Sequence, residues 1–356
     1  MRTVIHPRPS PIVAAMYTLR DMDVDVIVIH GPAGCCFMAS RPLENAGVRV
    51  VTTSMRDNDL IFGASEPLIE TLKQVEERFH PKTVAVVGTC ASMIIGEDMG
   101  SAIRKAGISA NAFPVDVHAC MGDNTRGAIK ALEAGRDAGI IDGEECARQI
   151  SLMKAATRLE KTVGMASRDY ISPAVSPTKL HACKRIAEVL SSGGRVAVVM
   201  DAKKELAYRF ADMFEAVARA RDSLGGETLF VANLDASKGL PRIRGYCGEI
   251  LADLESRGVR IDEIVGGLDE YALVGEEMRA KVDAFGPDLT IILGICHAYP
   301  GMGPDDILIT DQPRQLANYL AAGCRWAVGE MSSHTMVMGA HGIVPLETAE
   351  TLRELL

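Results

Sequence analysis

Aromatic side chains are scarce in this chain of 356 residues: eight Phe, seven Tyr and one Trp, 4% in all. Platforms that stack single-stranded nucleic acid are built from such rings and are not expected. Positive charge is also short. Lys and Arg number 38 against 47 Asp and Glu, a net charge of −9, whereas a phosphate backbone needs a basic face. A nucleic-acid partner is therefore not expected. No apolar run approaches the ~20 residues of a membrane span; stretches such as Leu289–Ile295 are strand-sized, so no membrane partner is expected either. Met1 leads into a polar, Pro-containing segment, and a secretory leader is not expected. No G-x-x-x-x-G-K-[ST] occurs, so the chain has no P-loop to cradle a triphosphate. Gly31-Pro32-Ala33-Gly34 is not a dinucleotide fingerprint, and Gly301-x-Gly303 lacks the third glycine. No C-x-x-C occurs, which removes a ferredoxin-type cluster and a zinc ribbon.

What is present is a soluble globular composition, 47% hydrophobic and 24% charged, long enough for two or three domains. Nine cysteines without an export signal favour metal or redox use over a disulfide scaffold. Those cysteines and 17 Met are comfortable where oxidants are scarce. The expected setting is an anaerobic cytoplasm.

Short β-branched runs alternate with amphipathic helix patterns. Val24–His30, Val48–Thr53, Thr83–Thr89 and Phe113–Val117 read as buried strands. Ser65–His80 carries Leu68, Ile69, Leu72, Val75 and Phe79 on one helical face, with Pro67 near its start. A second series follows: Arg195–Asp201, Thr228–Leu234, Glu263–Leu268, Leu289–Ile295, Ile307–Asp311 and Trp326–Glu330, with a helix over Lys203–Asp222. The alternation predicts parallel sheets with crossover helices, the doubly wound α/β class. Glu144–Val163 reads as a long helix, and Gly164–Pro177 has no periodicity. The main boundary belongs there, giving domains over 1–165 and 178–356 with a linker at 166–177. A subdivision of the second domain near 285 is compatible with the pattern.

In such sheets ligands gather at the carboxyl ends of strands. Those ends read HGPAGCC (His30–Cys36), GTCAS (Gly88–Ser92), DVHAC (Asp116–Cys120), GICHAYPGMGP (Gly294–Pro304) and GEMSSH (Gly329–His334). Cys35 and Cys90 each follow a buried strand among small residues, which lets backbone N–H groups approach an anionic cluster. A cubane needs four thiolate-type ligands, and two cysteines supply half. A twofold axis would double them at one symmetric interface. The bland reading is that both are small buried hydrophobes. Cys36, adjacent to Cys35, and Cys120, at a third strand end, are rival or additional ligands. Cys146 and Cys183 fall in helix patterns and read as core.

The blocks HGPAGC, DNDLIFGASEPL (Asp57–Leu68), GTCASMIIGED (Gly88–Asp98) and PVDVHACMGDNTRGA (Pro114–Ala128) together resemble the nitrogenase component-1 superfamily, in the same order and over most of residues 24–130. The resemblance implies a nitrogenase-like fold of repeated Rossmann-like domains. It carries over Cys35 and Cys90 as ligands of a 4Fe-4S cluster bridging a homodimer. Nitrogenase subunits have a further cluster cysteine ahead of the first block. Here His6-Pro7-Arg8-Pro9 occupies that stretch, which argues against an eight-iron cluster. The short chain is most similar to homodimeric members that act on a nickel tetrapyrrole in coenzyme biosynthesis in methanogens. That similarity implies a two-component scheme. A separate P-loop iron–sulfur reductase resembling nitrogenase iron protein would bind ATP and Mg and pass single electrons to this chain, which would reduce the bound tetrapyrrole. Such a substrate is flat and rimmed with carboxylates, so an apolar cleft with Arg or Lys forks should receive it. Arg41, Arg56, Arg168, Lys238, Arg242 and Arg244, read as loop residues, are candidates. His118, His297, His334 and His341 are candidate proton donors or groups facing the nickel. Two other readings stay open: another tetrapyrrole reductase or cofactor-assembly scaffold of the superfamily, and a cluster-free α/β small-molecule binding protein.

Overall fold

The computed structural model describes residues 10–163, 178–271, 273–330, 337 and 339–356. They divide into a first unit, essentially residues 10–157 with 240–242, and a second unit, residues 158–239 and 243–356. The expected linker, together with Arg168 and His334, lies outside the described residues.

The first unit holds four parallel strands: β1 (Val26–Ile29), β2 (Arg49–Thr52), β3 (Thr83–Val87) and β4 (Asn111–Val115), in the order β2-β1-β3-β4. β1 and β3 are central and almost wholly buried, as their unbroken β-branched runs require. Val26, Val28, Val84 and Val86 point to one face, where Leu68, Ile69, Leu72 and Val75 of the helix Ser65–Phe79 meet them. That helix forms where the apolar spacing placed it, and Pro67 costs nothing in its first turn. β4 lies two residues earlier than the sequence pattern implies. Its ladder starts where the Asn111 N–H bonds the Lys82 carbonyl, and Pro114 is tolerated because β4 is an edge strand.

The second unit holds one parallel sheet of six strands: β5 (Arg195–Asp201), β6 (Glu227–Ala232), β7 (Glu263–Ile264), β8 (Leu289–Gly294), β9 (Ile307–Thr310) and β10 (Trp326–Gly329). Their order is β10-β9-β8-β5-β6-β7. β7 is shorter than its apolar run because Gly266, at φ 76°, turns the chain out of the sheet. The helix expected over 203–222 is broken into a turn at Lys204–Leu206 and helices Ala207–Phe210 and Asp212–Leu224. Lys204, at φ 29°, does not share the helical backbone.

Both sheets are doubly wound, as the alternation of elements predicts. Chain order reverses between β1 and β3 in the first sheet and between β5 and β8 in the second. These are the switch points at which crevices open beyond the strand ends.

Candidate functional site

At the first switch point the segments leaving β1 and β3 are laced together. The Thr89 hydroxyl donates to the His30 carbonyl at 3.0 Å. A Cβ on Gly31 would stand 2.5 Å from Thr89 Oγ1, so only glycine lets the two segments lie this close. Thr89 also caps the helix Cys90–Ile94: its N–H donates to Ser92 Oγ at 2.8 Å, and Ser92 N–H returns to Thr89 Oγ1 at 3.4 Å. Cys90 is thereby fixed as the first residue of that helix. The chain after β1 closes a turn through Cys35 N–H to the Pro32 carbonyl at 2.9 Å. Cys36, at φ 59°, then starts the helix Phe37–Asn45.

This arrangement gathers three thiols. Cys35, Cys36 and Cys90 are all half-buried. Burial and then the neighbouring Cys90 push the Cys35 thiol upward. Burial, Cys35 and Cys90 push Cys36 to about 11. Thiolates this close repel one another, so they ionise together only beside a positive charge, which bound metal supplies. The Ala119 N–H points at Cys90 Sγ at 3.3 Å, a backbone donor where sulfur charge would develop. The donor set suits an iron–sulfur cluster and is short of its four ligands. Among the described residues, no group of three or more His, Cys, Asp or Glu is placed to hold a metal ion. Cys120 is exposed in the turn Ala119–Met121. Cys146 and Cys183 are buried, as their helix patterns imply.

The surroundings carry features that the motifs did not reveal. Large apolar side chains stand exposed in the segments that flank the cysteines: Phe37 at 71%, Met38 at 84%, Phe62 at 85% and Ile94 at 76%, with Ile61 and Met93 beside them in sequence. A free monomer rarely shows so many apolar groups in the segments that follow neighbouring strands. Behind them His30 is fully buried, and burial lowers its pKa to about 4. Its Nδ1 lies 3.3 Å from Thr53 Oγ1, and Glu97 stands 3.9 Å from Nε2, beyond hydrogen-bond reach. The ring is therefore a neutral strut. His118 adjoins Ala119, and its Nδ1 is buried without a hydrogen-bond partner.

The other candidates scatter. Arg41, Arg242 and Arg244 sit on helices rather than loops, and Arg56 precedes the helix Asp57–Phe62. Arg41, Arg56 and Arg244 are exposed. Arg242, which groups with the first unit, pairs with Asp23 at 2.6 Å. Lys238 pairs with Asp235 at 3.1 Å, and His341 is exposed near Glu249. His297 belongs to the second sheet, directly after β8.

A parallel α/β unit that presents cysteines from adjacent strand ends is the portion, residues 10–155, that the model of nitrogenase component 1 type oxidoreductases matches. The chain belongs to that family. Full-length relatives are more particular. The chain is 44% identical to the Ni-sirohydrochlorin a,c-diamide reductive cyclase complex component CfbD of Methanothermobacter thermautotrophicus, over 98% of each chain. It is 42% identical to the component of the same name from Methanosarcina acetivorans, over 99% of this chain and 97% of that one. The nitrogenase molybdenum-iron protein alpha chain of Clostridium pasteurianum is 31% identical over 28% of this chain and 21% of its own. The four sequence blocks are thus borne out as marks of the family. Among solved structures, nitrogenase Cp1 at pH 5 gives a TM-score of 0.38 at 14% identity, covering 100% of this chain and 88% of that one, a score that does not bear on the arrangement of the units.

Proposed function

We propose that this chain is the substrate-reducing component of a two-component reductive cyclase acting on Ni-sirohydrochlorin a,c-diamide, on the route to coenzyme F-430. Two copies would place Cys35 and Cys90 of each chain around one 4Fe-4S cluster. When bound, that cluster would accept and pass on single electrons. ATP and Mg would be handled by a partner P-loop reductase, since this chain has no loop to cradle a triphosphate. The observation that carries the reading is the pair of half-buried thiols at neighbouring strand ends, close enough to feel each other's charge, in a chain with full-length relatives named for this reaction. The exposed apolar residues beside them suit a face that a second copy covers. Within the chain the residues have separate tasks. Thr89 and Gly31 hold the two cysteine segments in register, and the Ala119 N–H supports the sulfur charge. His118, a candidate for moving a proton that adjoins Ala119, keeps one buried ring nitrogen without a partner.

The ligand assignment is tested by anaerobic iron and sulfide analysis of variants. Cys35→Ser and Cys90→Ser should each lose the cluster, because each removes two of four thiolates from the dimer. Cys146→Ser and Cys183→Ser should retain it. Full iron content in folded Cys90→Ser protein would defeat the assignment.

A further inference from the structure

The second switch point carries a cation that the sequence pattern did not single out. Lys203 lies two residues beyond β5, and the backbone that bears it is pinned on both sides. The side chain of Asn233, just past the end of β6, accepts from the Ala202 N–H at 3.1 Å and donates to the Ala202 carbonyl at 2.8 Å. The Lys203 carbonyl accepts from the Leu206 N–H at 2.9 Å. Inside that turn Lys204 stands at φ 29°, a backbone conformation that a lysine adopts only at a cost.

The two adjacent lysines end in opposite states. Lys204 is buried and pairs with Glu270 at 2.8 Å. Lys203 is half-buried and has no ion pair among the described residues. Acids at the neighbouring strand ends are committed elsewhere: Glu270 to Lys204, and Asp235, beyond β6, to Lys238 at 3.1 Å. Asp201, the last residue of β5, does not bond the Lys203 ammonium, because neither of its carboxyl oxygens has a hydrogen-bond partner. Burial raises its pKa to about 8, so at neutral pH it offers little counter-charge. The Lys203 charge is felt at Asp201 and at His297, three residues beyond β8. It therefore acts across β5 and β8, the pair between which chain order reverses and where doubly wound sheets take their ligands. A lysine kept only for solubility holds its ammonium in bulk water. Half withdrawn from water and without a counter-ion, Lys203 has given up hydration for nothing this chain supplies.

We propose that Lys203 anchors a carboxylate of the substrate at the carboxyl edge of the second sheet. The ammonium donates to a carboxylate oxygen in a charge-assisted hydrogen bond. A single point charge suits a monoanion. A phosphate group would call for a second cation or a nest of backbone N–H groups, and His297, whose pKa burial lowers, adds no charge at neutral pH. The anchor rests on the tetrapyrrole reading above, in which the substrate is rimmed with carboxylates.

The test measures binding rather than turnover, on the full chain prepared anaerobically. Ni-sirohydrochlorin a,c-diamide and its peripheral methyl ester are titrated by absorbance into wild type, Lys203→Gln, Lys203→Met, Lys203→Arg and Lys281→Gln. Thermal melts establish folding. Lys281, paired with Glu263 at 2.9 Å, controls for net charge. Either neutral variant at Lys203 should bind the acid about tenfold more weakly, because a charge-assisted hydrogen bond is lost. Lys203→Arg and Lys281→Gln should stay within about threefold of wild type. The ester, which carries no charge for the anchor to hold, should bind wild type and both neutral variants alike. Unchanged acid binding in the folded neutral variants, or an equal loss for acid and ester, would overturn the anchor while leaving the tetrapyrrole reading intact. A matching loss in Lys281→Gln would overturn it as an effect of net charge. Should the diamide not bind wild type, that reading fails, and the anchor is judged on propionate against propionamide by ligand-observed NMR. Lys203-dependent binding of propionate alone upholds it, and any other result overturns it.

Discussion

Single buried groups govern how this protein responds to pH. The His30 ring is held neutral, with a pKa near 4 in the fold against its ordinary 6.5. The unfolded chain therefore binds the extra proton first as pH falls. Stability from this residue is complete above about pH 6.5 and is lost as pH falls toward 4, at no more than about 1.4 kcal/mol per pH unit. Asp201 acts with the opposite sign. Its carboxyl titrates near 8 in the fold against 3.8 ordinarily, so its contribution is complete below about pH 4 and declines as pH rises toward 8. Urea midpoints across pH 4.5–8 should show a shallower acid limb in His30→Gln and a shallower upper limb in Asp201→Asn. An unchanged acid limb in His30→Gln would mean that burial does not hold the ring neutral. Neither residue stood out in the sequence. His30 follows a strand and precedes a glycine, as many structural histidines do. Asp201 ends VAVVMD, and nothing in that string says that both its oxygens lack partners. Cysteines at strand ends were legible because their chemistry is rare. An aspartate at a strand end is common, and only the packing around it makes it unusual.

At the scale of elements, two glycines set how closely segments pack, and they make separable predictions. Gly31 lies against Thr89 between the segments that carry Cys35 and Cys90, and a methyl there would stand 2.6 Å from Thr89 Cγ2. Gly31→Ala should lower stability by about 1–3 kcal/mol and also reduce the iron held per folded chain, because the cysteine segments must move apart. Gly127, on the helix Asn124–Asp137, faces the Pro11 carbonyl of the helix Pro11–Asp21 so closely that a Cβ would stand 1.9 Å from its oxygen. Gly127→Ala should destabilise by a similar or larger amount while its folded fraction keeps full iron. Equal iron loss in the two variants would show that general destabilisation, not the spacing of the cysteine segments, controls the cluster. The strands themselves were legible from apolar runs, and β5 has the bounds that its run implies. The break near Ala211 was not, because Leu206, Phe210, Met213, Phe214 and Val217 keep helical spacing across it. The exposed Phe37, Met38, Phe62 and Ile94 were hidden for a related reason. In sequence they look like any core residue of a short helix, and their exposure emerges only when the segments after the strands are packed.

For the molecule as a whole, the account divides labour between chains. On the proposed scheme this protein alone should hydrolyse no ATP above background, its sequence having no P-loop motif. Reduction should require the added reductase, and ATP-driven substrate reduction by this chain alone would contradict the division. The central claim is that one cluster is completed only between two copies. Two family-matched cysteines per chain supply half of the four ligands of a cubane, so iron should approach about four atoms per two chains. A bridging metal site adds its binding free energy to assembly, so its removal should loosen the dimer. If Cys36 and Cys120 instead complete the ligand set within one chain, iron doubles and association ignores chelation. The direct measurement is anaerobic analytical ultracentrifugation with iron quantitation on the same samples, before and after chelation. The account predicts a dimer carrying about four irons that shifts toward monomer when iron is removed. About four irons per single chain, with association unchanged by chelation, would contradict it.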